Sequence, residues 1–213
     1  MLQSNGVIQW LIEFLTILPA ILIAISFHEF AHGYAAYLLG DPTAKSYGRL
    51  TLDPMAHLDP IGFLLLIIAK FGWAKPVPID SSYFKHRKRD TMIVSFAGPL
   101  ANFIVAVIST IILAFGIKYR FNNIVMDVIN AIIIYNLALG VFNLLPFPPL
   151  DGSKILASLL PYKYENLFYQ YEKGLYVILI ILVITGGINI FLSRWIVLGS
   201  NVLMNLVQFI INL

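Results

Sequence analysis

Val7 to Leu39 forms an almost unbroken apolar run, long enough to cross a bilayer as a helix. Inside it stands Phe27-His28-Glu29-Phe30-Ala31-His32, an H-E-x-x-H pattern. Residues four apart on a helix share a face, so His28 and His32 present two imidazoles to one ion. Glu29 lies beside them, placed to take a proton from an attacking water. The pattern alone also arises by chance in soluble helices. Ionisable side chains within a membrane span are costly, however, and mark function by default.

Composition agrees with a membrane setting. The chain of 213 residues is 59% hydrophobic and only 12% charged, which points to a polytopic membrane protein. It has no cysteine, which excludes disulfides and thiolate metal sites, so His, Asp or Glu must hold any metal. The formal charge of +3 is small and its basic residues cluster beside apolar spans. They read as topology signals, and no nucleic-acid partner is expected. No basic segment precedes the first apolar run, and its end carries the histidines where a small-residue cleavage site would stand. A removable signal peptide is not expected.

The expected fold is an all-α polytopic membrane protein. It has about five transmembrane helices plus a short re-entrant or membrane-surface β/helical segment. The first span, kinked at Pro19, stops at Gly40-Asp41-Pro42. Ser46 to Leu52 alternates loosely and predicts a strand or hairpin at the membrane surface. Asp53-Pro54 and Asp59-Pro60 bracket a turn-rich piece, Ile61 to Ala69 is too short to span, and Phe71 to Pro78 reads as an irregular loop. Further spans are expected over Thr91–Ile117, Ile124–Leu145, Leu175–Leu192 and Trp195–Ile211, the last two joined by a tight turn at Ser193-Arg194. Gly152 to Lys173 is a polar, tyrosine-rich segment. The whole reads as one integral-membrane domain over residues 1–213, with a catalytic core over about 7–160 and a C-terminal helical hairpin over about 174–213. Lys85-His86-Arg87-Lys88-Arg89 is the densest basic cluster, so its loop is expected in the cytoplasm. The N-terminus then lies outside and the histidines in the cytoplasmic half of the first span.

A catalytic zinc takes three protein ligands and leaves one position open. Asp151 is the best candidate for the third. It follows Asn143-Leu144-Leu145-Pro146-Phe147-Pro148-Pro149-Leu150, whose prolines break a span at the depth of the histidines. Such broken backbone belongs where protein buries it or it lines a water-filled cavity. An Asp-Gly pair is also a common turn. Asp53 and Asp59 precede prolines and suit turns or caps; His57 is the serious rival ligand.

Taken together, these residues resemble the site-2 protease family of intramembrane zinc metalloproteases. The resemblance rests on His28-Glu29-Phe30-Ala31-His32 and on Pro148-Pro149-Leu150-Asp151-Gly152. Gly48 to Pro54, Gly72 to Pro78 and Ala97-Gly98-Pro99-Leu100-Ala101-Asn102 resemble further stretches of the compact bacterial members. It implies one zinc on His28, His32 and Asp151, with Glu29 as general base. It implies substrates that are transmembrane segments of membrane proteins, cut in or near the bilayer. Asn143 is implied as a hydrogen-bond donor to the substrate carbonyl, and Asn102 as a lesser candidate for the same task or as a helix-packing residue. Larger members often carry a PDZ or cystathionine-synthase-type domain, for which this chain has no room. On the residues alone, a membrane metal-ion transporter and a non-catalytic scaffold are the competing readings. A transporter requires several sites along a route and gives Glu29 no distinct role.

Overall fold

The computed structural model describes residues 2–69 and 72–212. Phe71, at the start of the expected loop, lies outside the described residues. Among the described residues ten α-helices follow one another: α1 (Leu2–Leu38), α2 (Thr43–Ser46), α3 (Pro54–His57), α4 (Pro60–Ala69), α5 (Arg87–Lys118), α6 (Asn123–Asn143), α7 (Asp151–Leu159), α8 (Tyr162–Gln170), α9 (Glu172–Ile184) and α10 (Gly187–Ile211). Four are long and apolar enough to cross a membrane: α1 from Ile8, α5, α6 and α10. The pair α8 and α9, bent by 59°, makes a fifth if taken as one broken span. The protein is an all-α, multi-pass membrane protein.

α5 is the central post. It packs against α1, α6, α7 and α10. Its Ala106, Leu113 and Ala114 meet Ile129, Ile133 and Leu137 of α6 and Leu203 and Val207 of α10. Small residues there let the helices approach closely, which drives association where lipid is as apolar as the side chains. A second apolar cluster joins Leu145 and Leu150 to Leu179 of α9 and Ile188 of α10, and so seats the proline-broken segment under the last two helices.

The segment between α1 and α5 differs from expectation. Ser46 to Leu52 forms no strand: Ser46 closes α2, and turns and bends follow. Among the described residues the only β pairing is an isolated bridge between Leu58 and Ala74. The alternation is short and finds no partner row. Arg49 instead donates through Nη2 to the Lys75 carbonyl oxygen at 2.7 Å, and Asp53 turns the chain into α3 by accepting from the Met55 N–H at 3.0 Å. Asp59 likewise caps α4, accepting from the N–H groups of Ile61 and Gly62. At ten residues, α4 is too short to cross a bilayer, as expected from the length of its apolar run.

The C-terminal hairpin also differs. Its turn falls at Thr185-Gly186, and Ser193 and Arg194 lie inside α10. Gly186 takes φ of +73°, a left-handed conformation that glycine adopts without a Cβ clash. A polar Ser-Arg pair is compatible with helix, so it marked no boundary.

Candidate metal centre

His28 and His32 sit one turn apart on α1, their rings edge to face with centroids 4.5 Å apart. Asp151 is the first residue of α7, delivered by the irregular segment after α6. The three are buried together. The two Nε2 atoms are 3.0 Å apart, and each lies 3.1 Å from Asp151 Oδ2.

The other ring nitrogens explain this convergence. His28 Nδ1 donates to Asn102 Oδ1 at 2.7 Å, and His32 Nδ1 donates to the Val94 carbonyl oxygen at 2.7 Å. Both partners are acceptors, so each Nδ1 carries a proton, and in the neutral form of either ring Nε2 turns a lone pair inward. Two imidazole lone pairs and a carboxylate oxygen thus face one another at about 3 Å in a buried place. A proton on one ring or a shared metal cation reconciles them, and the three donors together could hold a metal ion. Tetrahedral zinc with nitrogen and oxygen ligands sets donors roughly 3.3 Å apart, close to what is seen. The residues fit zinc, and three donors are one fewer than its usual four.

α5 approaches this cluster through Gly98. A Cβ there would run into the imidazole of His32 and come within 2.7 Å of His28 Cε1. Glycine at 98 is therefore what allows α5 to lie against the histidine face.

A cavity of about 440 Å³ opens beside the cluster, between α1, α4 and α6. His28, Glu29 and Asn143 line it, together with Phe63, Trp73, Tyr135 and Phe142. Glu29 Oε2 accepts the Val77 N–H at 2.8 Å, and Asn143 Nδ2 donates to the Leu139 carbonyl oxygen at 3.1 Å. Asn102 is elsewhere: it is fully buried and behind His28. His57 is outside the cluster. Fully buried, it donates from Nε2 to the Thr51 carbonyl oxygen at 2.7 Å. Among the described residues, His28, His32 and Asp151 are the one His/Asp/Glu group arranged to share an ion.

Comparison with known proteins bears on this site. A family model described as peptidase family M50 matches residues 116–186, which include Asp151. A Bacillus subtilis protein named "Putative zinc metalloprotease YwhC" is 39% identical over 171 residues, covering 78% of this chain and 78% of that protein. This chain belongs to peptidase family M50. The M50 assignment makes it a zinc-dependent metalloendopeptidase of the membrane. A Mycolicibacterium smegmatis protein named "Putative zinc metalloprotease Rip2" is 31% identical over 196 residues, 85% of this chain and 70% of that protein. "Zinc metalloprotease MJ0392" of Methanocaldococcus jannaschii is 28% identical over 163 residues, 76% of this chain and 38% of that protein. No solved structure matches this M50 chain significantly.

Three groups around the cluster were not foreseen from sequence: the N–H of Val77 on Glu29, the carbonyl of Val94 on His32, and the side chain of Asn136, whose Oδ1 accepts from Asn102 Nδ2 at 2.9 Å. For Asn136 a signal existed. It lies seven residues before Asn143, two turns along the same face of α6. For the two backbone groups no residue type could have given notice.

Proposed function

We infer that the protein hydrolyses peptide bonds in or near transmembrane segments of membrane-protein substrates, in regulated intramembrane proteolysis. One observation carries the reading: the His28–His32–Asp151 cluster adjoins an apolar, aromatic-walled cavity that holds a carboxylate, Glu29, and an amide, Asn143. Such a cavity suits an apolar segment, and the two polar groups suit the chemistry of an amide bond.

His28, His32 and Asp151 would hold the zinc. When bound, zinc supplies a Lewis acid that polarises the scissile carbonyl and makes water acidic near pH 7. Glu29 takes the proton of the attacking water and returns it to the leaving amine. The Val77 N–H keeps Glu29 beside His28 without occupying its second oxygen. Asn143 turns its amide from Leu139 toward the developing oxyanion and donates to it. The helical substrate unwinds locally, because the peptide bonds of a helix are shielded by its own hydrogen bonds. The Lys85–Arg89 cluster, at the start of α5, faces the cytoplasm, the N-terminus lies outside, and the active site opens toward the cytoplasmic side of the cell membrane.

The test is cleavage of transmembrane peptides by detergent-purified protein. Cleavage that stops with a chelator and resumes on adding zinc supports the reading. Absence of cleavage, with zinc transport in proteoliposomes that Glu29→Gln leaves unchanged, sinks it in favour of a transporter.

A further inference from the structure

We propose that Asn136 is a positioning residue of the metal centre: acting through Asn102, it fixes the tautomer of His28 that leaves Nε2 free for zinc. The proposal rests on the metallopeptidase reading above. Three buried amides and rings on three helices make a directed chain. Asn136 Nδ2 donates to the Ile132 carbonyl oxygen of its own helix at 2.8 Å. That leaves Asn136 Oδ1 to accept, and Asn102 Nδ2 donates to it at 2.9 Å. Asn102 Nδ2 also donates to the Ala24 carbonyl oxygen of α1 at 2.9 Å. Asn102 Oδ1 is thereby left facing His28 Nδ1 at 2.7 Å. Both asparagines are 0% exposed, so no bulk water substitutes for any link.

Direction is what matters here. A side-chain amide has two orientations of nearly equal shape and opposite hydrogen-bonding character. Were the Asn102 amide reversed, its NH₂ would face His28 Nδ1 and demand a lone pair there. The imidazole proton would then move to Nε2, where it blocks ligation. Reversal would also set Asn102 Oδ1 against two acceptors, the Ala24 carbonyl and Asn136 Oδ1. Asn136 supplies one of these two penalties, and its own bond to Ile132 stops it from turning to relieve the conflict. A purely structural link between α5 and α6 would hold the helices together without regard to this polarity.

The experiment uses the full chain in detergent, metal-free and ¹⁵N-labelled at histidine, with zinc affinity measured by chelator competition. The variants are Asn136→Leu, Asn136→Asp and Asn130→Leu. Asn130 makes the same bond to its own helix, to the Met126 carbonyl oxygen, but is exposed and serves as control. Asn136→Leu is expected to weaken zinc binding 10- to 100-fold, about the effect of an outer-shell change, and to raise the Nε2–H share of the His28 ring. Asn136→Asp is isosteric. Burial favours its protonated form, which donates to Ile132 and accepts from Asn102, so affinity and tautomer should be retained. Asn130→Leu should change neither. Unchanged zinc affinity in Asn136→Leu overturns the proposal, as does weakened affinity with the His28 tautomer unmoved. If Asn136→Leu does not fold, loss of the Nδ1–H tautomer in Asn136→Asp overturns it. Zinc binding absent from the unmodified protein defeats the metallopeptidase reading instead, and the metal-free ring spectrum still decides the role of Asn136.

Discussion

The backbone N–H of Val77 donates to Glu29 Oε2 across 2.8 Å, joining the loop before α5 to the helix that carries the histidines. Val77 stands between Pro76 and Pro78, neither of which has an N–H, so it is the single backbone donor of that tripeptide. The prolines restrict the loop and hold this donor in place. Pro76→Gly with Pro78→Gly should therefore lower kcat about 10- to 100-fold, since small displacements of a catalytic group are costly. Zinc content should stay at one per chain. A normal kcat in this double variant would show that the loop does not position Glu29.

Glu29→Gln retains an acceptor for Val77 and nearly the same shape, but has no basic oxygen. Cleavage of a model transmembrane substrate should fall by at least about 10²-fold, the usual size of a general-base contribution. Metal analysis should find zinc unchanged. Zinc lost together with activity would make Glu29 a ligand instead of a base.

Asp151→Ala removes the only anionic member of the cluster and leaves the two lone pairs without a charge to help balance a dication. Stoichiometric zinc and cleavage should both disappear. His57→Ala should keep zinc and lose stability, by about 1–3 kcal/mol, because it leaves the Thr51 carbonyl without its donor. The reverse pattern of zinc loss would reassign the third ligand.

Gly98→Ala places a methyl group where the two imidazoles lie. The rings must tilt or α5 must withdraw, and either change spoils the convergence on Asp151. Zinc affinity in chelator competition should drop by at least about 10-fold, with the helical content of the metal-free protein preserved. Wild-type affinity in this variant would mean that α5 does not pack on the histidines as described.

A cysteine introduced at Ser82 sits on an exposed turn just before the basic cluster. Impermeant thiol reagents should label it in opened cells and leave it unlabelled in intact ones. Labelling from outside would invert the orientation inferred from Lys85 to Arg89.

The histidine pair and its setting were legible in the sequence because both are local. Their four-residue spacing puts them on one helical face, and the surrounding apolar run defines a span whatever the rest of the chain does. The break after Asn143 was equally plain, since prolines end a helix from within. The extent of α9 and α10 was not, because Ser193-Arg194 is tolerated in a helix and the turn depends on the left-handed Gly186. Nor was the irregular course of Ser46 to Leu52: a strand exists only if a second row pairs with it, and here Arg49 and Asp53 bind other groups. Above all, sequence could nominate Asp151 and His57 as rivals but could not rank them by distance. That Asp151 lies 3.1 Å from both Nε2 atoms, that Val77 holds Glu29, and that Asn136 stands behind Asn102 and His28 depend on how α1, α5, α6 and α7 pack together. These contacts join residues far apart in the chain, and no local preference encodes them.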